Sequence, residues 1–167
     1  LAATEDAKKL IIYGPKGTKK RFNNLFKAFL FDKKMELEIN EIKSKTVLDI
    51  KHLKIEAFAL DHKIECNGFK LIEKDKRKIK IQFIKKLGIP DGPLLGQLQE
   101  NKPIKWKGAV VHPKDATKIV RGKKIGIIPD TKLCNNCYKI AEGVDLLVCE
   151  STYAHNLIAK AKKHMHM

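Results

Sequence analysis

Four places in this sequence set ligand-type side chains just past an apolar run. Asp61-His62 follows Leu53–Leu60, Asp130-Thr131 follows Lys123–Ile128, Glu150-Ser151-Thr152 follows Val144–Cys149, and His164 and His166 follow the segment His155–Lys163. A carboxylate and imidazoles that meet can hold Zn²⁺, with Zn–N and Zn–O bonds of about 2.0–2.2 Å. In layered α/β folds such groups gather at strand ends, where side chains project from a rigid edge. A single His after a strand is more often a capping or solvated residue, and Asp-Thr is as often an ordinary turn. Convergence is what would turn these residues into a site.

Cys134-x-x-Cys137 is a second candidate, with Cys149 and His155 as further zinc ligands. One CxxC falls short of the two ligand pairs that a structural zinc site needs, and nothing in the spacing brings the four residues together. The third candidate is electrostatic. Lys and Arg crowd the stretch Lys74–Lys86, and Gly88-Ile89-Pro90-Asp91-Gly92-Pro93-Leu94-Leu95-Gly96 follows it directly. Gly and Pro at that density predict an exposed, structured loop in place of helix or central strand. A projecting arm with free backbone N–H groups and Lys at its base suits an RNA backbone; a solvated helix face is the plainer account of the Lys residues alone.

The elements that must position these groups are legible from periodicity. Leu10–Tyr13 reads as a short buried strand closed by Gly14-Pro15. Phe22, Leu25, Phe26, Phe29 and Leu30 make one apolar helical face over about 19–31. Met35–Ile42 alternates as a half-buried strand, and strands are predicted through Leu53–Leu60 and Asn67–Glu73, joined by Lys63–Cys66. Lys123–Ile128 and Val144–Cys149 are apolar strands, with helices predicted over Cys134–Glu142 and His155–Lys163. Strands separated by helices indicate an α/β arrangement.

Length and composition bound the answer. A chain of 167 residues, 43% hydrophobic and 32% charged, can bury a core without disulfides and is not a disordered segment. No run reaches the roughly 20 apolar residues that span a bilayer. With 35 basic and 19 acidic residues the net charge is +16. That balance favours a polyanionic partner, nucleic acid first, over a Lys-rich surface serving only stability. Four cysteines without secretory features predict a reduced, cytoplasmic protein. The sequence opens without Met and stops at His164-Met165-His166-Met167, so the expectation is a part of something longer.

Taken in order, these segments resemble ribonuclease Z, the zinc-dependent endonuclease that trims the 3′ end of precursor tRNA. The resemblance runs from Leu10 to His166. Ile12-Tyr13-Gly14-Pro15-Lys16-Gly17-Thr18 is similar to an early strand and Gly-Pro turn of the family. Phe58-Ala59-Leu60-Asp61-His62, with Gly68-Phe69 and Glu73, resembles the segment that contributes a zinc-binding His. Leu87–Gly96 is similar to the Gly/Pro-rich part of the arm that grips tRNA. Ile128-Pro129-Asp130-Thr131-Lys132-Leu133-Cys134 resembles the Gly-Asp-Thr-x-x-Cys segment, whose Asp bridges two zinc ions. Asp145–Thr152 resembles the segment that usually ends His-Glu-Ala-Thr, and Ala161–His166 falls where the family has His-Ser-Thr.

By that resemblance the fold is a four-layer αββα metallo-β-lactamase-type sandwich, partial here, with a basic arm inserted over residues 74–113. His62 and Asp130 become metal ligands for a site of two zinc ions, and Glu150 and His166 the pair that handles the leaving-group proton. His166 is preferred to His164 because Ala-Lys-Lys-x-x-His sets the register. Lys85, Lys86, Gly88, Pro90, Gly92, Pro93 and Gly96 become RNA contacts, precursor tRNA the substrate, and a homodimer the expected assembly. Pro129 stands where the family has Gly, Cys149 where it has His and Ser151 where it has Ala. The family's His-x-His-x-Asp-His motif is expected before Leu1 and its last zinc-binding His after Met167. Without them the alternative is a non-catalytic, basic RNA-binding module.

Overall fold

The computed structural model describes residues 9–28, 36–45 and 47–167. They divide into two compact units, Leu1–Ile72 with Lys124–Met167 and Glu73–Lys123. The segment 74–113 lies in the second.

The first unit begins with β1 (Lys9–Gly14), α1 (Thr18–Ala28) and β2 (Glu36–Glu41). The two strands pair in parallel, Lys9 opposite Glu36 through Gly14 opposite Glu41, with the helix as their crossover. The Glu41 carboxylate accepts the free N–H groups of Gly17 and Lys19 at 2.9 and 3.1 Å, which caps the start of α1. Phe22 and Phe26 are half-buried with ring centroids 6.2 Å apart. Phe29, Leu30, Phe31 and Met35 of the predicted elements lie outside the described residues. Then come β3 (Val47–Ile50), β4 (Leu53–Leu60) and β5 (Cys66–Glu73). Periodicity did not single out β3, a four-residue strand antiparallel to β4.

The second unit is built from β6 (Lys76–Ile79), α2 (Ile81–Leu87), α3 (Pro93–Gln99), β7 (Ile104–Trp106), β8 (Ala109–Val111), α4 (Pro113–Ala116) and β9 (Thr117–Val120). It has its own core: Ile84, Ile89, Leu98, Ile104, Val111 and Ala116 are buried together. Half-buried Trp106 packs on that core and donates its indole N–H to Leu87 O at 3.0 Å. The Gly/Pro-rich segment departs from the predicted loop. Gly88 ends α2 at φ 66°, but a helix starts at Pro93 and carries Gly96 within it. Pro at the first helical position loses no hydrogen bond and has its φ preset, so the residue that argued against helix is the one that opens it. Leu98 of that helix is fully buried.

The chain returns to the first unit with β10 (Lys124–Ile128), α5 (Asn135–Ala141), β11 (Leu146–Cys149), a 3-10 turn over His155–Leu157 and α6 (Ile158–His164). A five-stranded sheet runs β11-β10-β5-β4-β3, with β11 parallel to β10 and β10 antiparallel to β5. Fully buried Ile140 packs α5 onto this sheet over two glycines. A Cβ on Gly68 would stand 2.5 Å from Ile140 Cδ1, and one on Gly126 would stand 3.0 Å from Ile140 Cγ2. Ile128 and Cys137 complete that core, with Phe58, Leu60, Cys134 and Met167 against it. The apolar strand β11 is exposed at all four residues.

Candidate active site

The parallel pairing of β10 and β11 sets Ile128 opposite Cys149, so the carboxyl ends of both strands open side by side. Glu150 N–H still bonds Ile128 O at 3.0 Å, and Asp130 stands two residues beyond that rung. The end of β4 is brought in by an antiparallel bridge between Asp61 and Lys132, with Lys132 N–H on Asp61 O at 3.0 Å. Thr131, fully buried, fastens the three ends. Its hydroxyl oxygen accepts Asp61 N–H at 3.0 Å and lies 2.8 Å from Lys132 O and 3.1 Å from Asp61 O. Its own N–H donates to Glu150 Oε1 at 2.7 Å.

The imidazole arrives from the far end of α6. Met165 takes the left-handed conformation at φ 62° and His166 N–H bonds back to Ala161 O at 3.0 Å. Met167 O accepts the N–H groups of Thr152 and Tyr153, both at 2.9 Å, which ties this turn to the segment after β11. His166 Nδ1 then lies 3.0 Å from Glu150 Oε1. Glu150 Oε2 accepts the Thr152 hydroxyl at 2.5 Å. The Glu150 side chain is 7% exposed and that of His166 21%. Burial pushes the Glu150 carboxyl up, but the Thr152 hydroxyl, Thr131 N–H, His166 and Met167 N–H outweigh it and hold its pKa below the ordinary carboxylate value.

Asp130, Glu150 and His166 each bring a ligand atom within 4.8 Å of the others. His62 adds its ring edge-on to His166 at a centroid distance of 5.0 Å. Four of the sequence-predicted residues, His62, Asp130, Glu150 and His166, therefore meet, from segments separated by up to 104 positions. His164 is exposed and stacks on Tyr153 at 6.1 Å, outside the cluster. Two carboxylates and an imidazole are the donor types that a divalent cation of zinc's character takes, so the residues present fit one such ion. The sequence pointed to Asp130-Thr131 and Glu150-Ser151-Thr152 as positions but gave Thr131 and Thr152 no task. A hydroxyl one or two positions after a carboxylate is the only signal that could have found them. Cys66 is another such neighbour: burial pushes its thiol up, and the charges of Asp130 and Glu150 push it further.

Cys134 and Cys137 lie with sulfurs 3.6 Å apart. Cys149 and His155 do not join them: among the described residues the only His/Cys/Asp/Glu group of three or more is the one at Asp130. In the second unit, Lys85 and Lys86 are exposed on the last turn of α2. Gly88, Pro90 and Gly92 are exposed between α2 and α3 and Pro93 is exposed at the start of α3, whereas Gly96 is half-buried. This unit holds 14 Lys and Arg against five Asp and Glu, which places more than half of the net charge of +16 in 51 residues.

No family model matches the chain. It is 30% identical over 169 residues to ribonuclease Z of Myxococcus xanthus, covering 99% of this chain and 55% of that protein. It is 34% identical to ribonuclease Z of Thermococcus gammatolerans, over 87% of this chain and 47% of the relative. Ribonuclease BN of Escherichia coli is 33% identical over 94% of this chain and 52% of its own length. The chain thus spans about half the length of the relatives it matches. Among solved structures, human tRNase Z, short form, superposes with a TM-score of 0.57 at 18% identity, covering 96% of this chain and 52% of that one. The metallo-beta-lactamase fold protein YhfI of Bacillus subtilis gives 0.52 at 12% identity over 95% and 43%. The fold is of the metallo-β-lactamase type.

Proposed function

From this chain's kinship with ribonuclease Z over nearly its whole length, we propose that it carries the acid–base part of a zinc-dependent endoribonuclease that removes the 3′ trailer from precursor tRNA. The observation that carries the reading is the Glu150–His166 pair at 3.0 Å, set beside Asp130 at the open ends of β10 and β11. In this reading Asp130 and His62 hold metal, two zinc ions in the complete site, together with donors of the family's His-x-His-x-Asp-His type. When bound, zinc supplies Lewis-acid stabilisation of the phosphoryl oxygens.

The chain's own residues handle the other end of the reaction. Hydrolysis adds water across the phosphodiester: the bond from phosphorus to the ribose 3′-oxygen breaks, and that oxygen needs a proton. His166 gives it from Nε2, because Nδ1 is held by Glu150. Thr131 N–H and the Thr152 hydroxyl hold the Glu150 carboxylate in place for that task. The products are a tRNA with a 3′-hydroxyl and a trailer with a 5′-phosphate. The second unit, with Lys85, Lys86 and the Gly/Pro-rich turn, is the arm that binds the RNA backbone. A cytoplasmic homodimer belongs to the same reading.

The test is a 3′-extended precursor tRNA incubated with the purified protein and zinc, with the end groups of the products mapped. Trailer release that falls about 10²–10⁴-fold in His166→Ala, with RNA binding retained, supports the reading. RNA binding with no cleavage under zinc assigns the chain to the second reading, a non-catalytic RNA-binding module. The positive charge of the second unit, 14 Lys and Arg against five Asp and Glu, is the observation on which that alternative rests.

A further inference from the structure

The CxxC pair takes no part in the proposed cleavage, yet its geometry is organised. Cys134 ends the extended segment before α5 at φ −140°, and Cys137 sits in the first turn with its N–H on Cys134 O at 2.9 Å. Their sulfurs are 3.6 Å apart and unbonded. A disulfide needs about 2.05 Å, so each side chain has to close only part of the difference by rotation. The two thiols are unequally placed. Cys137 is buried with Ile128 and Ile140, whereas Cys134 is half-buried at the edge of that cluster. A structural zinc site would need further ligands, and no third one joins the pair among the described residues.

We propose that Cys134 and Cys137 form a redox-active dithiol that exchanges with small-molecule disulfides of the glutathione class, Cys134 attacking and Cys137 resolving. The Cys134 thiolate displaces one thiolate from the disulfide R–S–S–R and forms a mixed disulfide. Cys137 then gives up its proton, and its sulfur attacks Cys134 Sγ and displaces the second thiolate. Two electrons pass from the cysteine pair to R–S–S–R, which leaves one protein disulfide and two R–SH.

The electrostatics around the pair assign the same roles. Burial opposes ionisation of Cys134, but the N–H and thiol of Cys137 and the N–H groups of Asn136 and Asp61 outweigh it and lower its pKa. Burial pushes the Cys137 thiol up to about 11. A thiolate that is stabilised and partly open attacks first, and a buried thiol responds once the mixed disulfide is beside it.

The experiment equilibrates the native protein in buffers of graded reduced and oxidised glutathione, quenches with acid, alkylates, and maps the cysteines by mass. The expected product is a disulfide within the Cys134–Cys137 peptide, with Cys66 and Cys149 still alkylated. Cys137→Ser is expected to accumulate one glutathione on Cys134, and iodoacetamide to modify Cys134 at least about tenfold faster than Cys137 in the unmodified protein. Cys134 and Cys137 both remaining alkylatable in fully oxidised glutathione would overturn the proposal. So would oxidation that pairs either of them with Cys149 or Cys66. The wild-type measurements decide the matter even where a variant fails to fold.

Discussion

Replacing Glu150 by Gln keeps the shape of the side chain and removes its charge, which isolates what the carboxylate does. The carboxylate accepts from Thr131 N–H at 2.7 Å, the Thr152 hydroxyl at 2.5 Å and His166 Nδ1 at 3.0 Å, with only 7% of the side chain exposed. Hydrogen bonds to a charged group contribute about 1.5–3 kcal/mol and neutral ones about 0.5–1.5, so three such bonds weaken by about 3 kcal/mol in sum. A neutral amide costs less to bury, which returns part of that sum. The expected net loss is about 1–3 kcal/mol at pH 7. At about 2–4 °C per kcal/mol for a chain of this size, Tm falls by roughly 2–12 °C.

The pH dependence gives the sharper check. The folded-state pKa of Glu150 is depressed, so its contribution is fully present above the unfolded carboxylate value near 4.5 and is lost as pH falls through the folded value. Gln cannot titrate. Thermal unfolding of both proteins in chelator at pH 7, 5.5, 4 and 3 is expected to show a gap that is present at pH 7 and 5.5 and narrows below 4.5. Charge repulsion from the many Lys residues acts on both chains alike and drops out of the difference. A gap that stays constant across this range, or a Glu150→Gln protein as stable as wild type at pH 7, would refute the hydrogen-bonded carboxylate as the source of that stability.

Thr131→Val leaves the Thr131 N–H on Glu150 but strips Asp61 N–H of its acceptor, a loss of about 1–3 kcal/mol by the cost of an unmet donor; Thr131→Ser restores the hydroxyl and is expected to recover most of it in urea unfolding. Equal damage in both variants would mean that the methyl group matters instead. Leu98→Ala empties the centre of the second unit's core and is expected to cost about 2–5 kcal/mol there. Amide exchange in residues 73–123 should accelerate while that of β10 and α5 is unchanged, and acceleration throughout would show that the two units do not unfold independently.

How much of the site was legible follows from what a sequence encodes locally. Apolar runs ending in a carboxylate or His marked Asp61-His62, Asp130 and Glu150, because strand period and strand end are local patterns. What joins them is not local. Thr131 reaches Asp61 across 70 positions and His166 reaches Glu150 across 16. The first contact depends on how the strand ends are brought together, the second on a left-handed turn at Met165, a residue type that gives no warning of it. The helix at Pro93 departs from expectation for the opposite reason: proline density is a local signal, but its meaning depends on where in a helix the proline falls. The exposure of β11 was out of reach for a third reason. Leu146–Cys149 is apolar enough for a buried strand, but burial is a property of what lies across the sheet.

In the proposed reading, the two compact units separate two physical demands that a polyanionic substrate makes. Binding a phosphate backbone needs many dispersed positive charges that stay hydrated, and in that reading the 14 Lys and Arg of the second unit supply them around a core that contains no ionisable group. Cleaving a phosphodiester needs few groups, held tightly and partly shielded from water. In the same reading Glu150 and His166, fastened by Thr131, Thr152 and the turn at Met167, answer that one. Lys residues packed against the Glu150 carboxylate would compete with His166 for it. Lys132, next to the Thr131 that donates to Glu150, is instead paired with Asp61 at 2.9 Å. In the proposed reading, more than half of the net positive charge of +16 lies in the unit that does not carry Glu150 and His166.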